Sequence, residues 1–465
     1  MLAGAEPRSL VPSGRIATDP ARTTGTCLTR TAARITSIIP RSGVPTTSAG
    51  GQGAAAVAST TMADAQLQAD AASFHRFHAV DLPQRIAAGN GALAFADVER
   101  LGSVGLRTPA GSYTYRPERG SVAILEGEGD ADTVVDIDLD SWLGLVSDLD
   151  TAPGLLYGGR VEIVSGKPLR FVRWEPGLRA LFHGVPVFDP EVADLRDRSG
   201  GPLDPTRSCT LDEIDADMTK ARHQFSTAGF LWVRSVFDRA EIGEMVSDAD
   251  VLEAEARPGD AASWWGRNAA GDEVLTRVLR AASRPRLQAL RQDPRLTRIV
   301  SVVPEPLRDV PAGRDAVTVL WKRPSMTEGL ADLPWHRDCG MGGHANNCPA
   351  IVMTICLTSG TPEAGELRFL PGSHRGSYPF VDGHDTRAPR GVSVPVAAGD
   401  VTIHYTDVMH ASMAPTSETG PHRISVLLAW VPPEAGHHRG GRHYNDALLA
   451  GDDGQVEHLG DRLGS

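Results

Sequence analysis

The densest chemistry in the sequence is the stretch "LPWHRDCGMGGH", in which His336 and Asp338 stand two positions apart. At i and i+2 of an extended segment an imidazole and a carboxylate point to the same side, with Arg337 facing away, so the pair can bind one metal ion. Two ligands are insufficient. A second histidine from a distant strand would complete the two-histidine, one-carboxylate facial triad that leaves positions open on non-haem Fe(II). Eleven of the fifteen histidines lie at or after His336, and the candidates for that ligand are His374, His404, His410 and His422. Spacing alone does not choose among them.

His-Arg-Asp also opens the catalytic loop of protein kinases, which needs Asn five positions after the Asp to hold magnesium. Gly343 occupies that position, and the chain has neither a Gly-rich loop before a V-A-I-K strand nor a D-F-G. Kinase chemistry is excluded.

The elements that position these residues belong to an ordinary globular chain. Its 465 residues, 41% hydrophobic and 22% charged, suffice for two or three domains with their own cores. A formal charge of −12 argues against nucleic-acid or anionic-membrane partners, which call for a basic face. There is no run of 18 apolar residues, so no spanning helix is expected. Cys27, Cys209, Cys339, Cys348 and Cys356 form no C-x-x-C pair and read as free thiols in a reducing cytoplasm. Only three lysines occur among 46 basic residues, which singles out Lys322, in "LWKRPS" on the strand expected before the H-x-D segment.

Residues 1–61 contain only Glu6 and Asp19 as acids and read as a disordered tail, or an upstream extension ahead of Met62. Residues 62–195 read as a small α+β domain. In "VDIDLD", Val135, Ile137 and Leu139 alternate with Asp136, Asp138 and Asp140, the period of a half-buried strand. "GGRVEIV" is a second strand, and "WEPGLRALF" is a short helix with Pro176 in its first turn. Residues 196–209 have the Gly, Pro and Ser content of a linker. In the remaining domain, residues 210–465, Thr210 and Glu213 have capping-box spacing and open one helix toward Phe225 that Gly229 can end, and Asp238 and Glu241 repeat the cap. From Ala316 onward short β segments broken by Gly and Pro predict a sandwich or barrel.

The segment from about residue 215 to 435 resembles the phytanoyl-CoA dioxygenase family of Fe(II)- and 2-oxoglutarate-dependent oxygenases. The likeness rests on the helix–strand–helix "KARHQFSTAGFLWVRSVFDRAEIGEMV", the H-x-D of His336 and Asp338, "GELRFLPGSH", and "GDVTIHYTDVMH", which selects His410. One feature departs from the family. After His410 comes Ser412 but no Asn, and the following arginine, Arg423, stands slightly farther on. Residues 89–190 bear a weaker likeness to sterol carrier protein 2 lipid-binding domains, through the acidic strand, "SWLGLVSD" and "LLYGGRVEIVSGKP".

The resemblance implies a mainly-β double-stranded β-helix, of the jelly-roll or cupin-like kind, with flanking helices. It assigns Fe(II) to His336, Asp338 and His410, and gives 2-oxoglutarate as cosubstrate with O2. Arg423, with Ser425 on the same strand face, would pair with the far carboxylate, and Lys322 could also reach it. His374 is read as structural, His404 as orienting a ligand, and His422 as the third ligand if the register slips. Trp335 is read as core. Trp264, Trp265 and Arg267 fall where the family places loops over the active site. The implied reaction is hydroxylation of an unactivated C–H bond of a small, apolar molecule: a lipid, a steroid or terpenoid, or a secondary-metabolite intermediate. Asp338 argues against halogenation, which needs a small residue there. The alternative is a catalytically silent lipid-binding or regulatory protein on the same fold.

Overall fold

The computed structural model describes residues 71–310, 313, 316–339, 348–381, 388–433 and 456. The tail expected over residues 1–61, and Gly343, lie outside them. Residues 61–465 form one compact unit. Among the described residues no helix is long and apolar enough to cross a membrane.

The N-terminal part places helices against a five-stranded sheet. Strands β1 (Val104–Thr108), β2 (Gly111–Glu118), β3 (Ser121–Glu126), β4 (Thr133–Ile137) and β5 (Val161–Ser165) run in the order β3-β2-β1-β4-β5. Only the β1–β4 pair is parallel. The alternation read through Asp140 stops earlier, at Ile137. Asp138 accepts a hydrogen bond from Ser141 N and caps the Leu139–Val146 helix, so its carboxylate starts a helix instead of continuing a strand.

The helix expected around Pro176 is also longer than the sequence indicated. It spans Pro168–His183, with Pro168 at its N-terminus and Pro176 inside it. Pro176 supplies no amide hydrogen to the Val172 carbonyl. The loss is offset by packing, since Phe171, Trp174, Leu178, Leu181 and Phe182 are buried in the core of this sheet.

The second part opens with two helices where one was expected. Thr210 forms its capping box, but Asp217 leaves helical geometry at φ −147° and ψ 77°, ending Leu211–Ala216. Its carboxylate then caps Met218–Ala228 through Lys220 N. Gly229, at φ 87°, ends that helix as the pattern predicted, and β6 (Phe230–Val233) leads to a second capping box at Asp238 and the Arg239–Glu255 helix.

The remaining strands are β7 (Ser263–Asn268), β8 (Glu273–Val278), β9 (Arg308–Asp309), β10 (Val317–Trp321), β11 (Met326–Glu328), β12 (Leu333–His336), β13 (Ile351–Cys356), β14 (Leu367–Phe369), β15 (Val392–Val394), β16 (Val401–Tyr405), β17 (His410–Ser412) and β18 (Ile424–Val431). The larger sheet runs β11-β7-β8-β10-β18-β13-β16-β6, with β9 on β18; the smaller runs β12-β17-β14-β15. All these pairings are antiparallel, as in a jelly-roll or cupin-like fold.

Strand alternation divides the larger sheet into two faces. Val317, Val319, Ile351, Met353, Ile355, Val426 and Leu428 pack into the main apolar core. Their neighbours Thr318, Leu320, Val352, Thr354 and Leu427 face a cavity, which Leu367, His410 and Ser412 of the smaller sheet also line. The site therefore sits between the sheets. Trp264 and Trp265 lie on β7 and not in a loop, with Trp264 buried under Arg277. Arg267 pairs with Glu273 and Glu328 on neighbouring strands.

Candidate active site

His336 ends β12 and His410 begins β17, and the two are direct cross-strand partners with ring centroids 4.2 Å apart. Asp338 follows in a turn. The strand expected to run through "WHRD" breaks at His336, after a register shift against β17, and the turn swings the Asp338 carboxylate back toward both rings. Asp338 Oδ1 lies 3.5 Å from His336 Nε2 and 3.8 Å from His410 Nε2, and the ligand atoms of the three residues all lie within 4.8 Å of one another.

The main chain sets which ring nitrogens face inward. His336 Nδ1 lies 2.7 Å from Pro334 O, and His410 Nδ1 lies 3.1 Å from Val408 O. A carbonyl only accepts, so each Nδ1 carries the ring hydrogen and each Nε2 presents a lone pair to the Asp338 carboxylate. Burial, reinforced by His336, keeps His410 well below its ordinary pKa and therefore neutral. Burial opposes ionisation of Asp338, but the surrounding His410, His336 and His404 hold its carboxyl well below the usual carboxylate range. Two imidazole lone pairs and a carboxylate converging with no hydrogen between them form a donor set that a cation satisfies.

The remaining histidines separate by geometry. His404, on the inward face of β16, approaches Asp338 Oδ2 at 3.3 Å through Nε2, which orients the carboxylate. His374 is turned away, its Nε2 3.1 Å from Ser226 O, and burial lowers its pKa to about 4. His422 bonds Ser417 O at 2.7 Å. The "PGSH" turn has a different use: Ser373 Oγ accepts from Met409 N at 2.8 Å, fixing the residue before His410.

Arg423, at the same cavity, is buried. Its Nε donates to Gly365 O at 2.7 Å, Nη1 to Ser425 Oγ at 3.1 Å, and Nη2 to Ser412 Oγ. No carboxylate among the described residues pairs with it. Burial lowers its pKa, but a guanidinium stays charged, so the cavity holds an uncompensated cation.

Lys322 behaves differently from the expectation. Its ammonium donates to Ala331 O at 2.6 Å, Asp332 Oδ1 at 2.7 Å and Ser412 O at 2.9 Å, and its side chain does not line the cavity. All three hydrogens are used in tying β10 to β17, leaving none for a cosubstrate. Nor is it a solvated edge residue, being 1% exposed. Gly365 makes room for it: at φ 90°, a Cβ there would stand 2.8 Å from Lys322 Cε.

Trp335 is buried, as expected, though it also lines the cavity. Arg337 points away from the candidate ligands His336, Asp338 and His410, yet it is 5% exposed and its Nη2 lies 3.4 Å from Glu175 Oε1 on the Pro168–His183 helix. Sequence reasoning missed Glu175, Arg277 and the apolar N-terminal residues at this cavity. The one usable signal was the alternation of "HRD", which required Arg337 to meet something behind the ligands.

Residues 225–423 match the family model for phytanoyl-CoA dioxygenase (PhyH), and this segment is a domain of that family. No curated protein sequence matches the chain. Among solved structures, the non-heme alpha ketoglutarate dependent epimerase SnoN from nogalamycin biosynthesis is 22% identical, covering 50% of this chain and 89% of that one, with a TM-score of 0.40. AviO1 from Streptomyces viridochromogenes Tue57 is 24% identical, covering 48% and 98%, with a TM-score of 0.37. HygX from Streptomyces hygroscopicus, solved with nickel, 2-oxoglutarate and hygromycin B, is 20% identical, covering 52% and 96%, with a TM-score of 0.36.

Proposed function

We propose that the protein is an Fe(II)- and 2-oxoglutarate-dependent dioxygenase that hydroxylates an unactivated C–H bond of a small, apolar molecule. The observation that carries this reading is the pairing, in one cavity, of a lone-pair triad with a buried arginine that has no carboxylate partner among the described residues. His336, Asp338 and His410 would hold the metal. Arg423 would pair bidentately with the far carboxylate of 2-oxoglutarate, its fork already oriented by Ser412 and Ser425. When bound, iron would let dioxygen act as the oxidant, with 2-oxoglutarate giving up two electrons as it is converted to succinate and carbon dioxide and the substrate C–H bond giving up the other two.

The chain's own residues bind, orient and exclude water. His404 keeps one oxygen of Asp338 engaged, so the carboxylate presents the other toward the histidines. Trp335, Leu333, Leu367 and Met409 line the same space and support an apolar substrate over a charged one. The N-terminal sheet and helices, read as lipid-carrier-like, are consistent with such a ligand.

Anaerobic addition of Fe(II) and 2-oxoglutarate to the full chain should produce the weak visible charge-transfer absorption of such centres. On admission of oxygen, slow succinate release should follow even without substrate. Folded protein that shows neither would be the silent binding protein instead.

A further inference from the structure

We propose that the N-terminal module is the substrate-selecting wall of this active site, with Tyr157, Val172 and Pro176 determining which apolar molecule fits over the metal. The proposal rests on the iron-site reading above and deepens it. The family domain begins at Phe225, so these residues come from outside it. Nevertheless Pro153, Tyr157, Val172, Glu175 and Pro176 line the same cavity as His336, Asp338, His410 and Arg423.

The packing of two of these residues shows that the contact is built in. Tyr157 and Val172 are 3% and 1% exposed, yet they do not belong to the apolar core of their own sheet. They cluster with Trp264, Leu279 and Leu330 of the β domain. Two large apolar groups that leave their own module's core to complete another's are in place only when the two parts are docked. The docked wall is then registered to the metal ligands. Glu175 accepts from Ala152 N at 2.8 Å, joining the Ala152–Tyr157 and Pro168–His183 helices, and meets Arg337 at 3.4 Å. Arg337 stands between His336 and Asp338, so the wall and the ligands share one segment of backbone.

Helical spacing places Val172 and Pro176 on the same side of the helix, four residues apart, next to the Glu175 anchor. They therefore face the cavity as a pair. The ligand class they fit is an uncharged, largely hydrocarbon ring or chain. A specificity wall differs from mere packing because changing its volume alters which apolar molecule binds while leaving the metal centre intact.

The test uses the full chain and two readouts. The Fe(II)–2-oxoglutarate absorption reports the triad and Arg423, and fluorescence titration with N-phenyl-1-naphthylamine reports the apolar cavity. Val172→Phe, which fills the cavity, should weaken probe binding about tenfold or more with the absorption unchanged, by the discrimination typical of a hydrophobic pocket. Tyr157→Ala, which enlarges the cavity, should change probe affinity independently of whether the first variant folds. Val164→Ala, exposed on β5 of the same module, should match the native protein. Native-like probe binding in both wall variants, or no probe binding by the native protein, overturns the proposal. Absence of the absorption in the native protein, with the probe responses as expected, would overturn the iron reading and leave the apolar wall standing.

Discussion

His336 and His410 each fix their ring on a main-chain carbonyl two residues back, whereas Val172 and Tyr157, across the cavity, are held by side chains from distant parts of the chain. The metal side of the site is set by short-range bonds on two paired strands. The opposite side is set by docking of one part of the molecule on another, fastened at Glu175 and Arg337. The two sides therefore answer to different physics: ligand geometry follows strand register, and cavity shape follows how two cores meet.

That contrast is sharpest at the metal. His410→Ala should abolish the Fe(II)–2-oxoglutarate absorption and succinate release altogether, because two ligands do not retain the ion. His374→Ala, equally a loss of a buried imidazole, should keep both. The reverse result would place the third ligand on the wrong strand.

Arg423→Met comes next. Removing one partner of a buried charge pair costs about 2–5 kcal/mol, so the apparent KM for 2-oxoglutarate should rise by roughly thirtyfold to a few thousandfold. The absorption should return at high 2-oxoglutarate. A variant whose KM is unchanged would mean that the cosubstrate carboxylate binds elsewhere.

Lys322→Met should move stability more than catalysis. Leaving Asp332 and two carbonyls without their ammonium should cost about 3–5 kcal/mol, read as a lower Tm, while the KM for 2-oxoglutarate of the folded fraction stays within a few-fold of native. A KM rise like that of the Arg423 variant would return Lys322 to the cosubstrate site.

The smallest effect is expected behind the ligands. Burial pushes the Asp407 carboxyl up to about 7 against the pull of Arg337, while Cys348 adds to the rise. A folded-state value above the ordinary 3.8 means that the protonated carboxyl stabilises the fold at acid pH and that this contribution is lost as pH rises through 7. Asp407→Asn keeps an acceptor for Cys348 N, which lies 2.7 Å from Oδ2, and cannot ionise. Its Tm advantage over the native protein should therefore be larger at about pH 8 than at about pH 5, and a constant difference would refute the shift.

The grouping of His336, Asp338 and His410 was largely legible in the sequence, because its signals are local. H-x-D spacing, the "GD" turn before β16 and the glycine-rich "PGSH" turn each reflect a backbone requirement within a few residues. Lys322 misled because its scarcity and position are visible in sequence, while its three acceptors come from Ala331, Asp332 and Ser412 on separate elements. Pro176 and Asp138 misled for a related reason. A proline tolerated in a first turn and an aspartate alternating on a strand are fair local readings, but a buried helix face kept one interior and a cap claimed the other. The wall was not legible at all. Val172 and Tyr157 are ordinary apolar residues, and only a contact more than 90 residues along the chain, with Trp264, shows what they do.

The helix that carries this wall has one fixed point and two adjustable ones. Glu175 holds the helix to the segment bearing the metal ligands, and Val172 and Pro176 on either side of it shape the space beyond. On the proposed reading, substitution at those two positions would change which molecule fits while leaving His336, Asp338 and His410 in place. Substitution at Glu175 changes both at once. The N-terminal module thus sets which molecule fits, and the buried contact of Glu175 with Arg337 marks the limit of what is free to vary.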